Sequence, residues 1–139
     1  MLILNPRLVK FGPTTWPEVS TIAIDRDSSR LALEWSDLGP HPVFADSPEQ
    51  RLTIRIIQEI ARDDLDTPRP GDQQTLTFYT APTGADARRR KVTTTAVITA
   101  VSHDLSLSRG TQRRITLTAL SADGSTDPIT ITDPVLGEV

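Results

Sequence analysis

Cysteine is absent from the 139 residues, which excludes disulfides, thiolate nucleophiles and cysteine-type zinc sites together. Extra stability must then come from packing or from neighbouring subunits. Aromatic residues are scarce: Phe11, Trp16, Trp35, Phe44, Phe78 and Tyr79 are all the chain has. Aliphatic and threonine side chains must supply most of the core, which suits a sheet sandwich or a small barrel. No stretch approaches the roughly 20 apolar residues of a membrane helix. The apolar start at Met1, Leu2, Ile3 and Leu4 has no basic region before it, so no signal peptide is expected, and the expectation is a soluble protein without an export signal. Surplus positive charge is lacking too. A net charge of -3 and a pI near 5.3 argue against a dedicated nucleic-acid binder, which neutralises phosphates with excess Lys and Arg.

What remains is a composition that folds. The apolar fraction is 37% and the mean hydropathy -0.25, clear of the corner where chains stay disordered. One domain over 1–139 is expected, since this length suits a single core. Residues 30–36 place Leu31, Leu33 and Trp35 on one face and Ala32 with Glu34 on the other, the period-2 pattern of a half-buried strand. On that pattern Trp35 is expected in the core. The same alternation runs through 50–56, 75–80 and 114–120. Residues 91–101 are richer still in β-formers, and both faces turn apolar toward their end, as in a central strand or one entering an interface. Weaker strands are expected at 8–11, 19–25, 42–45 and 129–132. The expected class is mainly β, an antiparallel sandwich or barrel of about eight or nine strands.

One region departs from alternation. Ile56, Ile57, Ile60 and Ala61 recur at helical spacing before Asp63, Asp64 and Leu65. The strand there is expected to end near Ile57 and to hand over to one short helix within 57–65, with a bulged strand as the alternative. Pro and Gly mark the connections, and Asp123-Gly124 is the best hairpin signal.

Chemistry leaves few candidates. His41 sits between prolines and His103 follows a strand, and neither has a partner at metal-ligand spacing. No Gly-x-Ser-x-Gly elbow and no phosphate loop is present, and the carboxylate pairs Asp63-Asp64 and Asp25/Asp27 read as solvated turn charges. No catalytic, cofactor-binding or metal residue is assigned, and no enzyme is expected. The concentrated basic run Arg88-Arg89-Arg90-Lys91 lacks the interleaved aromatics of a nucleic-acid site. It reads instead as a loop and strand end able to pair with acidic residues on an adjacent subunit. Arg88, Arg89, Arg90, Lys91, Asp63 and Asp64 are therefore the candidate inter-subunit contacts, with Arg113-Arg114 a smaller basic cluster.

The order of strands and turns resembles tail tube subunits of tailed bacteriophages, those of contractile tails above all, a family related in fold to type VI secretion inner-tube proteins. The resemblance rests on Asn5-Pro6-Arg7-Leu8, on the block from Trp35 through Pro40-His41-Pro42 to Asp46, on Pro70-Gly71-Asp72 leading into Thr75-Leu76-Thr77-Phe78, and on the closing run from Arg113 through Asp123-Gly124 to Ile129. It implies a β-sandwich or barrel subunit with a short helix, assembling into hexameric rings that stack into a hollow tube through which DNA passes non-specifically. It also implies a place in the virion, made in the host cytoplasm, with a tail sheath protein and baseplate or terminator proteins as partners, no membrane and no cofactor. A tail terminator or baseplate adaptor of the same fold, and a carbohydrate-binding or adhesin-like module, are the competing readings.

Overall fold

The computed structural model describes residues 2–4, 7–60, 68–80, 90–106 and 110–132. They form nine strands: β1 (Leu2–Leu4), β2 (Arg7–Phe11), β3 (Thr14–Thr15), β4 (Val19–Trp35), β5 (Pro42–Ile60), β6 (Gln73–Tyr79), β7 (Lys91–Ser106), β8 (Gly110–Leu120) and β9 (Thr130–Thr132). All pairings are antiparallel, so the chain is mainly β. The described residues contain no helix. The short helix expected within 57–65 is corrected as far as Ile60, because β5 keeps pairing with β8 through Ile60↔Thr111. Residues 61–67 lie outside the described residues.

Four expected strands merge into two. Segments 19–25 and 30–36 belong to β4, of 17 residues, and segments 42–45 and 50–56 belong to β5, of 19. The Asp123-Gly124 turn does not close a hairpin, since β9 pairs with β7 rather than with β8.

The strands make one sheet in the order β1-β4-β5-β8-β7-β6-β2-β3, with β9 beside β7. Its inner face carries Ile22, Ile54, Ile56, Leu76, Phe78, Ile115 and Leu117, each with 0% exposure, in a single cluster. One flat sheet would leave that face wet, so the sheet must roll over its own core. Connectivity requires the same. β1 pairs at one end of the strand order and β2 near the other, yet only residues 5 and 6 separate them in the chain, so extended chain can hold Leu4 and Arg7 no more than about 11 Å apart. The expected sandwich or barrel is thus a single rolled sheet, open in its hydrogen bonding. Phe11 and Trp16 stack at 5.0 Å between ring centroids, and the Trp16 N–H donates to the Val9 carbonyl at 2.8 Å, which fastens the turn after β2 over one end of the core.

A bulge between Ile98 and Ala100 exchanges the faces of β7. Val92, Ala96 and Ile98 point inward before it, whereas Val101 packs on the core after it. This is why both faces of 91–101 read as apolar.

Candidate functional site

The longest feature outside the core is a two-stranded arm. β8 pairs with β5 only from Thr53 to Ile60, while β4 and β5 remain paired from Arg26↔Leu52 out to Trp35↔Pro42. At about 3.3 Å per residue the arm projects roughly 30 Å. Two register shifts, between Ser28 and Arg30 and between Arg30 and Ala32, leave Leu33 opposite Ala45 and Glu34 opposite Phe44. Leu31, Leu33 and Trp35 share a face as expected, but Trp35 is not in the core. They are 58%, 41% and 58% exposed, Val43 and Leu38 are exposed near them, and Phe44 is exposed on the opposite face beside Glu34. The alternation of a half-buried strand is present with nothing among the described residues to bury it.

Two strand edges are also open. On its side away from β5, β4 meets β1 only over Thr21, Ile22 and Ala23, and residues 25–35 have no neighbouring strand among the described residues. On its β6 side, β7 is covered to Val97 by β6 and at Ile98 by Gly71 and Asp72, and residues 99–106 have no strand beside them among the described residues. These edges bound the two sides of the β4-β5-β8-β7 part of the sheet, the arrangement that recruits further strands.

The candidate contact residues divide. Asp63, Asp64, Arg88 and Arg89 lie outside the described residues. Arg90 and Lys91 are described and exposed, and the Arg90 carbonyl accepts from the Thr80 N–H at 2.9 Å. The register runs Arg7↔Tyr79↔Lys91 and Lys10↔Thr77↔Thr93, so exposed Lys10 shares the outer face with Lys91. Sequence reasoning missed Lys10, because only strand pairing brings it near Lys91.

Arg113 and Arg114 are not a cluster. Arg114 faces outward and pairs with Asp104 at 3.2 Å, whereas Arg113 faces inward, 3% exposed. One Arg113 guanidinium N–H donates to Gln58 Oε1 at 2.5 Å, and Gln58 Nε2 donates to the Pro17 carbonyl at 2.7 Å. The guanidinium also lies 6.0 Å from the Trp16 ring centroid. His103 stands beside Arg113 on β7, and its Nε2 is enclosed without a hydrogen-bond partner among the described residues. A cleft of about 550 Å³ opens here between Trp16, Gln58, Ile60, Pro68 and Arg113. His41 is exposed in the turn at the arm's tip. Among the described residues no group of three or more His, Asp or Glu could hold a metal ion.

The β8–β9 connection is braced. Asp123 accepts from the N–H groups of Ser125 and Thr126 and from the hydroxyls of Ser121 and Thr126, which holds its carboxyl well below the usual carboxylate range. Asp127 accepts from the Ile129 N–H and pairs with Arg26 at 3.0 Å, and both contacts lower its pKa, the backbone one more. Arg26 lies at the root of the arm, so the connection ties that root to the rolled sheet.

No family model matches the chain, and no curated protein matches it in sequence.

Proposed function

We propose that the chain is a structural subunit of a phage tail tube, forming hexameric rings that stack into a conduit for DNA, with a tail sheath and baseplate or terminator proteins as its further partners. The observation that carries this reading is the arm. A strand patterned for burial, with Trp35 at 58% exposure, needs a partner surface, and a large contiguous apolar face marks an interaction site. The open edges of β4 and β7 support the reading further, because one edge at each side of the sheet lets each copy pair head to tail with the next. Such heterologous contacts close into rings when the rotation permits. The residues leave chemistry in a minor place: the buried Arg113 is engaged with Gln58, and the two histidines are apart, one in the arm turn and one on β7.

The test is negative-stain microscopy with sedimentation velocity across a range of protein concentration. Six-fold rings and tubes of uniform bore are expected. Single rings that never stack would favour a terminator or adaptor, and a monomer at high concentration would overturn assembly altogether.

A further inference from the structure

The arm is not only apolar. Its distal part, residues 31–48, contains Glu34, Asp37 and Asp46 and no Lys or Arg. Ala32 pairs with Asp46 and Glu34 with Phe44, so Glu34 and Asp46 share the face opposite to Leu31 and Leu33. Elsewhere on the rolled sheet, Lys10 on β2 and Lys91 on β7 flank β6 on its outer face. Strand spacing of about 4.8 Å and a two-residue step of about 6.7 Å put their Cα atoms about 12 Å apart. An exposed apolar side chain borders them, Leu8 at 57% beside Lys10. The Glu34/Asp46 face also carries Phe44, 49% exposed, so one surface is acidic with an exposed ring and the other basic with an exposed leucine.

We infer that the distal arm of one copy docks on the Lys10/Lys91 surface of a second copy. This rests on the assembly reading above and gives it a contact. The arm leaves the sheet at the end toward which Lys91 lies, as the rows Asp25↔Thr53↔Thr118↔Val97 continue toward Lys91 along β7 and toward Trp35 along β4. The exposure of Phe44 and Leu8 within one chain means that the arm does not cover its own copy's surface. A reach of roughly 30 Å lets it meet a second copy through two different surfaces, a head-to-tail contact of the kind that closes into rings. Glu34 and Asp46 meet Lys10 and Lys91, while Phe44, on the same arm face, loses water against Leu8.

The experiment reverses charge on each side separately. One full-length variant carries Glu34→Lys with Asp46→Lys, the other Lys10→Glu with Lys91→Glu. All four side chains are exposed, and each variant's fold is checked by its thermal transition. Wild type is expected to assemble, each variant alone to need at least about tenfold more protein, the equivalent of 1.4 kcal/mol, and an equimolar mixture to co-assemble near the wild-type concentration. Variants that assemble like wild type, or a mixture that stays dispersed, would overturn this docking and leave the assembly reading standing. Wild type that never assembles would overturn both.

Discussion

The Arg113 guanidinium donates to Gln58 Oε1 across the β5–β8 pair, with both residues almost completely buried. A guanidinium in such a place is tolerable only while its hydrogen bonds are made. Gln58 also reaches the Pro17 carbonyl, so one side chain links β8 to the chain entering β4. Gln58→Leu is expected to cost about 3 kcal/mol, through lost acceptance from a buried cation and an orphaned carbonyl. Gln58→Leu combined with Arg113→Met should recover part of that loss, since apolar replacement of both partners removes the desolvation penalty. Urea midpoints of the single and double variants check this.

Acid should loosen the β8–β9 connection in a defined window. Asp123 and Asp127 are depressed below their ordinary value of 3.8, chiefly by the N–H groups of Thr126 and Ile129 respectively. The folded state therefore binds fewer protons than the unfolded one below that value, so stability rises with pH there. Their contribution is complete above about pH 5 and is lost as pH falls toward the depressed values. The variant Asp123→Ala with Asp127→Ala is expected to show a flatter urea midpoint between pH 4 and pH 2 than the wild type. Equal slopes would count against the brace.

Backbone strain gives a third expectation. Glu18 adopts φ 55 and Gly12 φ 61, the left-handed region that a side chain enters at a cost. Glu18 is exposed, and its carbonyl accepts from the Glu59 N–H at 3.1 Å, which any residue supplies. Glu18→Gly is expected to stabilise by about 1 kcal/mol, whereas Gly12→Ala should destabilise by about the same amount. A Cβ at Gly12 would meet the end of the Gln74 side chain at 2.6 Å, which can move, so the φ sets the cost. Thermal midpoints of the two variants should shift in opposite directions.

The class of the fold was legible because alternation survives in every core strand. Strand ends were harder to read. The polar residues Arg26, Asp27, Ser28 and Ser29 read as a turn, yet a two-stranded arm is wet on both faces and accepts polar side chains anywhere along it. Asp123-Gly124 has turn chemistry, and Gly124 does adopt φ 84, but local turn preference says nothing of which strand comes next, and β9 pairs across the sheet instead. The candidate site was half legible for a similar reason. Period-2 spacing puts Leu31, Leu33 and Trp35 on one face without saying what covers it, and the core was the nearest guess. Lys10 comes near Lys91 only through the β2–β6–β7 register, a juxtaposition of residues 81 positions apart in numbering.

That uncovered face supplies the last expectation. In a monomer, Leu33→Ser and Trp35→Ser remove side chains 41% and 58% exposed, so only the covered part of each is lost and the double variant should cost less than about 2 kcal/mol. Docked on another copy, the same side chains would each bury apolar area worth about 25 cal/mol per Å², and a tryptophan at an interface is often among its largest contributors. The double variant should therefore lower the urea midpoint only slightly at low concentration while losing rings and tubes at concentrations where the wild type forms them. A core replacement such as Ile54→Ala, at a residue with 0% exposure, should do the reverse at low concentration, costing about 2–5 kcal/mol of monomer stability. Sedimentation velocity paired with denaturation separates the two behaviours. If Leu33→Ser with Trp35→Ser lowered the monomer's midpoint by as much as Ile54→Ala, the arm's apolar face would belong to the subunit's own packing and not to its contacts with other copies.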